Sequence, residues 1–508
     1  MESSNKVHFY QQRRFGLLEK YQLSKHLTHA YGNITLTAHL KHRNMLSDQG
    51  EPTYERYKEH YLNYLQTGLA QLIGKHPMLS LVVREKDRDT VHFAQLSQIN
   101  LEEVITIDLQ HRNLQDNIQQ VIQQETDREF DLDSMQLPLW RLRIVVGLDI
   151  TTTTEECLLV LTMHHVIGDG MSLTIFMKEL LSCISTSRSF DDNNNSSRIV
   201  NINKIDHVPP PYELAGAPSL SILWDIMPVL YQNLMPKVLP TNLARYLNPL
   251  SYESWKGDFP AVKEEPHHTV VQLFNVPAEV WKPTIQEAKK RGISAHAILY
   301  TCYLKTWSAI YADDDNCNIT EVCTPINCRS ICKPSVPKDW IGNYVSSYTS
   351  IWKKKEDNKA DIWERAKQYY QDLHKNMHSS AKQTLFLKFL PEFPDSYCEF
   401  WYDKRRNSSF GRTGGLELSD LGKLVLLTDQ RRDEDNEDEA SNALETVEVK
   451  HVYFCQSAQI FTNVISLNSI SLNDQLYCTL SYQKGSVKQD KINHFNSVFV
   501  DILKSLKL

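Results

Sequence analysis

The chain has no excess of basic charge, no paired-cysteine spacing and no long apolar run. Its 55 Lys and Arg stand against 62 Asp and Glu, a net charge of -7, with no basic tail or arginine-rich helix. That balance argues against nucleic acid as a partner. The 10 cysteines include no CxxC pair and no disulfide-scaffold spacing, so reduced thiols in a reducing compartment are expected. Cys323, Cys328 and Cys332 cluster, but no histidine or second cysteine pair completes a zinc site, and no metal is expected. No apolar stretch reaches the roughly 18 residues needed to span a bilayer. The first ten residues hold no apolar h-region, so a signal peptide is not expected. G-x-S-x-G and P-loop patterns are missing, which weakens hydrolase and nucleoside-triphosphate readings.

What is present reads as a globular protein of more than one domain. A length of 508 residues exceeds one ordinary core, and 41% hydrophobic with 23% charged residues is a soluble composition. The spacing of Tyr54, Tyr57, Tyr61, Tyr64, Leu65, Leu69 and Leu72 predicts a helix over 54–75, stopped by His76-Pro77. Residues 139–146 alternate as a half-buried strand does, and 157–163 are apolar throughout, as in a strand covered on both faces. An apolar helix is expected over 171–183. Residues 208–260 hold nine prolines and read as an irregular crossover. The expected organisation is a first domain over 1–207, a linker over 208–260 and a second α/β domain over 261–508. The polar stretch 185–203 and the acidic run 431–439 read as surface loops. Two segments, 219–239 and the helical stripe Ile492, Phe495, Val498, Phe499, Ile502 and Leu506, could lie on a membrane, but packing against the body is the expected role of each.

Residues 164–170 carry the chemistry: His164-His165-Val166-Ile167-Gly168-Asp169-Gly170. An imidazole with a pKa near about 6.5 accepts a proton at neutral pH and returns it within one turnover. A doubled histidine at a strand end suits a base on a sharp turn. His165 is the expected base, because Asp169 follows four residues on and a tight turn carries that carboxylate back. His164 faces the other way, into packing. Gly168 and Gly170 are expected to permit unusual backbone angles and close approach. Zinc is disfavoured, since H-E-x-x-H spacing and a third ligand are lacking. The pair His267-His268, with no aspartate after it, is expected to be packing. Gln456 and Ser457 follow the strand-like run 449–455, and either could donate a hydrogen bond to an oxyanion, against the plain reading of polar strand-end residues.

The HHxxxDG run resembles the signature of the acyltransferase superfamily of chloramphenicol acetyltransferase, peptide-synthetase condensation domains and plant BAHD enzymes. Arg13-Arg14-Phe15-Gly16-Leu17-Leu18-Glu19 and Pro138-Leu139-Trp140-Arg141-Leu142 resemble segments of fungal alcohol O-acetyltransferases. Asn327-Cys328-Arg329, Gly342-Asn343-Tyr344 and Ser419-Asp420-Leu421-Gly422 resemble that family's N-x-R, G-N-Y and S-N-L-G elements, with Asp420 in place of asparagine. The plant DFGWG loop is absent.

The resemblance implies two chloramphenicol acetyltransferase-like α/β domains with mixed sheets and a tunnel at their interface. It implies no bound cofactor, with acetyl-CoA as co-substrate and an alcohol as acceptor, attacked directly with His165 as base. Asp169 is implied to be structural, with Arg329 as its partner. Lys382, Lys388, Arg405 and Arg406 are candidates for the CoA phosphates, with nothing in the sequence to choose among them. The alternatives are transfer to a lipid or sphingoid-type amine, or a condensation-type reaction with carrier-bound acyl groups, for which a carrier would have to act in trans. A binding protein without turnover is a further class, against which the intact His165 and Asp169 argue. A monomer is expected, cytoplasmic or peripheral on endoplasmic reticulum or lipid droplets.

Overall fold

The computed structural model describes residues 9–30, 32–43, 53–110, 114–134, 136–148, 154–186, 198–227, 254–261, 266–314, 317–426 and 447–506. The acidic run, residues 187–197 of the polar stretch and 228–253 of the proline-rich connection lie outside them.

The expected apolar strand is Thr154–His164, in the middle of a five-stranded sheet. It pairs antiparallel with Asn33–Arg43 on one side and Trp140–Gly147 on the other. Cys157 to Met163 are buried because the helices Leu114–Asp127 and Gly170–Thr186 both pack against the strand. Each large aliphatic side chain so covered contributes roughly 1.5–3 kcal/mol. The helix Tyr54–Lys75 buries Tyr57, Tyr61, Leu65, Leu69 and Leu72, and packs on Gly170–Thr186. The register sets His164 opposite Asn33, so the chain leaves the sheet at His165.

The second half builds a six-stranded mixed sheet, in which Leu416–Lys423 runs parallel to both Ile319–Asn327 and Ile465–Leu472. The helices Ala295–Ile310 and Ile362–Ala381 pack together on this side. One strand departs from the expected division. Glu448–Gln456 leaves the second half and pairs antiparallel with Asn33–Arg43, becoming the outer strand of the first sheet. Its side chains Val449, Val452, Phe454 and Cys455 join the first core. A cut at 208–260 therefore does not separate two closed units, because the backbone groups of Asn33–Arg43 are paired by a strand from the far side of the cut.

The described part of the crossover is pinned. Arg13 Nε donates to the Pro209 carbonyl at 2.7 Å, Tyr344 Oη to Pro210 at 2.9 Å, and Tyr212 Oη to Ala381 at 2.7 Å. Arg13 also grips Glu19 through both terminal nitrogens, at 2.7 and 2.6 Å, and Glu19 accepts from the Gly16 amide at 2.7 Å. A Cβ on Gly16 would lie 2.2 Å from Pro211 Cβ. The segment Arg13 to Glu19 thus fastens the helix Leu17–Leu27 to the crossover.

The two amphipathic candidates part company. Ile492, Phe495, Phe499 and Leu506 are buried in the second core, as expected, while Val498 and Ile502 are partly buried, and Leu503 joins the buried face. Ile222, Leu223 and Trp224 are instead 73%, 64% and 78% exposed. Asp225 explains the inversion: its carboxylate accepts from the Ser221 amide at 2.7 Å and pairs with Lys382 at 2.8 Å, turning the polar side of Ile222–Ile226 inward. Among the described residues no helix is long and apolar enough to cross a membrane.

Candidate active site

The motif turn begins where the strand stops. The His165 amide donates to the Gly32 carbonyl at 2.9 Å, and the Ile167 amide closes a turn onto His164 at 3.1 Å. Asp169 then caps the helix Gly170–Thr186: Oδ1 accepts from the Ser172 amide at 3.0 Å and its hydroxyl at 2.9 Å. The glycines serve close approach, and neither has the positive φ that the sequence suggested. A Cβ on Gly168 would lie 2.4 Å from Met163 Sδ, and one on Gly170 2.5 Å from Leu421 Cδ2 of the second half.

Asp169 is fully buried and joins the halves. Arg329 donates to its Oδ2 from Nη1 at 2.7 Å and to its Oδ1 from Nη2 at 3.0 Å, and the Tyr344 amide donates to Oδ2 at 3.1 Å. Burial pushes the Asp169 carboxyl up, but Arg329 and these amide donors outweigh it and hold the group below the usual carboxylate range. Arg329 Nη2 also donates to the Trp340 and Gly342 carbonyls, at 3.1 and 3.0 Å, and the guanidinium lies over the Tyr344 ring. With its oxygens so occupied, Asp169 holds geometry and makes no hydrogen bond to His165.

The two histidines have different surroundings. His164 is fully buried; its Nδ1 accepts from the Val166 amide at 3.1 Å, so Nε2 carries the proton and points at His26 Nδ1, 3.3 Å away. His26 Nε2 in turn faces Glu129 at 3.4 Å. Burial pushes both imidazoles down, His26 to about 4 and His164 well below its ordinary value, so both stay neutral. His164 is a packing residue in a polar chain. His165 is half-buried and lines a cavity of about 510 Å³ between the halves. The Asn343 amide nitrogen donates to the His165 carbonyl at 2.8 Å and lies 3.1 Å from Nδ1. Two tautomers fit this side: Nδ1 accepts from Asn343, or Nδ1 carries the ring proton. Only the second leaves a lone pair on Nε2. Burial, then the charge of Lys25, push His165 well below its ordinary value, so the ring is uncharged at neutral pH.

Gln456 and Ser457 both line the cavity, but not as equals. Gln456 Nε2 donates to Glu417 Oε1 and Asn468 Oδ1, each at 3.0 Å. Both amide hydrogens are spent, which removes Gln456 as an oxyanion donor. The Ser457 amide donates to Asn33 at 3.1 Å, while its hydroxyl has no partner among the described residues. Ser457 and His165 stand beyond the ends of the two strands that flank Asn33–Arg43. With neighbouring strands about 4.8 Å apart, their main chains are separated by roughly 10 Å across Gly32.

Of the basic candidates, Lys382 is paired with Asp225, and Arg406 with Glu399 and Asp403. His267 is packed, with Nε2 donating to the Ala458 carbonyl at 3.0 Å and Nδ1 facing Asp127. Sequence reasoning missed Lys25 and Gln22 of the helix Leu17–Leu27, which reach the cavity, and gave Asn343 of the G-N-Y element no role, although its amide holds His165. No periodicity flags Lys25 or Gln22 as cavity residues, and the partner of Asn343 is 178 positions away. The departure at Asp420 has a local reason: His296 Nδ1 lies 3.3 Å from its carboxylate, and the Ser469 hydroxyl and Gly422 amide donate to it.

Residues 53–189 match the family described as Condensation domain. Wax ester synthase/diacylglycerol acyltransferase 6 of Arabidopsis thaliana is 30% identical over 135 residues, which cover 25% of this chain and 24% of that relative. The trichothecene 15-O-acetyltransferase TRI3 of Fusarium sporotrichioides superposes over 100% of this chain and 97% of its own, with a TM-score of 0.67 at 11% identity. Polyketide synthase associated protein 5 of Mycobacterium tuberculosis superposes over 98% and 99%, with a TM-score of 0.54 at 12% identity. The starter condensation domain of rhizomide synthetase, solved with C8-CoA and Leu-SNAC, superposes over 97% and 94%, with a TM-score of 0.54 at 10% identity. Residues 53–189 thus carry a condensation domain match, and over its whole length the chain has the mixed α/β fold of these solved structures.

Proposed function

We propose that the protein transfers an acetyl or other acyl group from CoA to the hydroxyl of an alcohol, with His165 as general base. The observation that carries this reading is an uncharged imidazole on a rigid turn, open to a cavity between the two halves. The acceptor hydroxyl gives its proton to His165 Nε2 as its oxygen attacks the thioester carbonyl. The carbonyl electrons move onto oxygen, facing the Ser457 hydroxyl. Collapse reforms the carbonyl, breaks the carbon–sulfur bond, and the thiolate takes the proton back from the imidazolium. Such a base contributes roughly 100- to 10,000-fold in rate. No acyl-enzyme is needed. Asp169 and Arg329 act through geometry, holding the turn against the second half.

The similarity to a wax ester synthase and to an O-acetyltransferase favours oxygen as the acceptor atom. The condensation domain match favours a second reading, in which the acyl donor is carrier-bound or the acceptor is an amine. Thiol release by purified protein, with acetyl-CoA and panels of alcohols and amines, tests the first. Replacing free acetyl-CoA by a carrier-bound thioester tests the second. For location we propose a cytoplasmic protein with peripheral membrane contact through Ile222, Leu223 and Trp224.

A further inference from the structure

Lys25 is a buried charged group for which the transfer chemistry has no use. It lies on the helix Leu17–Leu27, lines the same cavity as His165, and is 8% exposed. Its Nζ donates to Gln459 Oε1 at 3.2 Å and lies 5.3 and 5.4 Å from the ring centroids of Tyr21 and Trp401. Among the described residues no carboxylate pairs with it. Glu417, whose charge reaches it, accepts instead from Gln456, Asn463 and Ser466. A buried ammonium is costly without an anion, and a neutral amide with two ring faces compensates it only in part.

Resting on the acyl-transfer reading, we propose that Lys25 receives an anionic group of the acceptor, so that the substrate class is a hydroxy acid. The geometry supplies what such a ligand needs. One cavity holds a cation at Lys25 and a base at His165, walled by Tyr21 and Phe400. The two groups also sense each other: the charge on Lys25 opposes protonation of His165, the step that must occur in transfer. A carboxylate seated on Lys25 neutralises that opposition, so binding of the acid raises the basicity of the ring. A neutral acceptor leaves it suppressed.

The test compares lactate and mandelate, each against its methyl ester, with acetyl-CoA as donor. Wild-type protein and Lys25→Met are used; the methionine suits the pocket between Tyr21 and Trp401, and Lys25→Gln serves if it does not fold. The expected acid-to-ester ratio of kcat/KM in the wild type is roughly 10- to 100-fold, the worth of one charge-assisted hydrogen bond. Lys25→Met brings the ratio to about one, through a higher KM for the acid and a higher kcat for the ester. The preference also falls as pH rises through about 8, to which burial lowers Lys25. The other titratable groups around it are Tyr21, Cys323, Lys404, Glu417 and His165. A ratio that Lys25→Met leaves unchanged overturns the proposal. So does a rise in KM for acetyl-CoA alone, which would assign Lys25 to the phosphates of CoA. Absence of thiol release with every acceptor sinks the transfer reading instead, and calorimetric titration with mandelate then decides Lys25 by itself. Heat that Lys25→Met abolishes supports it, and no heat in the wild type overturns it.

Discussion

Arg329 holds Asp169 through both terminal guanidinium nitrogens, at 2.7 and 3.0 Å, across the boundary between the two halves of the chain. The pair is buried, and each remaining polar neighbour is a main-chain group or the Ser172, Asn327 side chains. Replacing Arg329 by Ala leaves a buried carboxylate with one side uncompensated, an expected loss of about 3–5 kcal/mol. Asp169→Ala costs a similar amount, and the double variant costs less than the sum. Urea unfolding of the three variants checks the coupling.

The pH dependence of stability follows from two signs. His26 and His164 have folded pKa values below the unfolded value, so their contribution is full above about 6.5 and is lost as pH falls. For His26, with a folded value of about 4, the loss by that pH is about 3 kcal/mol at roughly 1.4 kcal/mol per unit. Asp169 is also depressed, and its contribution goes only below the unfolded carboxylate value of about 3.9. Melting temperature is therefore expected to fall between pH 6.5 and 4, before Asp169 titrates, and His26→Gln to flatten that fall.

The two motif histidines separate chemistry from packing. His165→Ala is expected to lower kcat by roughly 100- to 10,000-fold with little change in melting temperature, since its side chain is half-buried. His164→Ala opens a cavity beside His26 and Phe130 and costs stability more than chemistry. Paired kinetics and melting curves check this, and reversed outcomes would move the base to His164.

Ser457→Ala is expected to reduce kcat by roughly 100- to 1,000-fold if its hydroxyl meets the oxyanion. Gln456→Ala acts differently: Glu417 loses a buried donor, so the expected loss is about 1–3 kcal/mol of stability. Turnover at saturating substrate, compared with denaturation midpoints, distinguishes the two residues.

Much of the architecture was legible because it rests on apolar pattern. The strand around Cys157 to Met163 buries the residues its pattern marks, and the helix Tyr54–Lys75 buries Tyr57, Tyr61, Leu65, Leu69 and Leu72 of its stripe but leaves Tyr54 exposed at the first turn. Asn33–Arg43 was not visible, since a central strand with buried Thr35, Thr37 and His39 shows neither alternation nor an apolar run. His39 is accommodated by Glu156 at 2.9 Å and by His451, partners on the strands on either side. The same holds for the exchange of Glu448–Gln456 between sheets, which depends on which edge is left unpaired. At the site, the motif located His165 and the turn, and the resemblance pointed to Arg329. Lys25, and the role of Asn343 within the G-N-Y element, came only from the fold, because their contacts to the cavity and to His165 join distant parts of the chain.

The central claim is that His165 removes a proton from an acceptor during acyl transfer from CoA. The most direct measurement is thiol release from acetyl-CoA with a mixed alcohol pool, followed by mass spectrometry of the product, in wild-type protein and His165→Ala. The account predicts an acetate ester and stoichiometric CoA from the wild type, and neither from the variant. Equal product from a folded His165→Ala protein would contradict it.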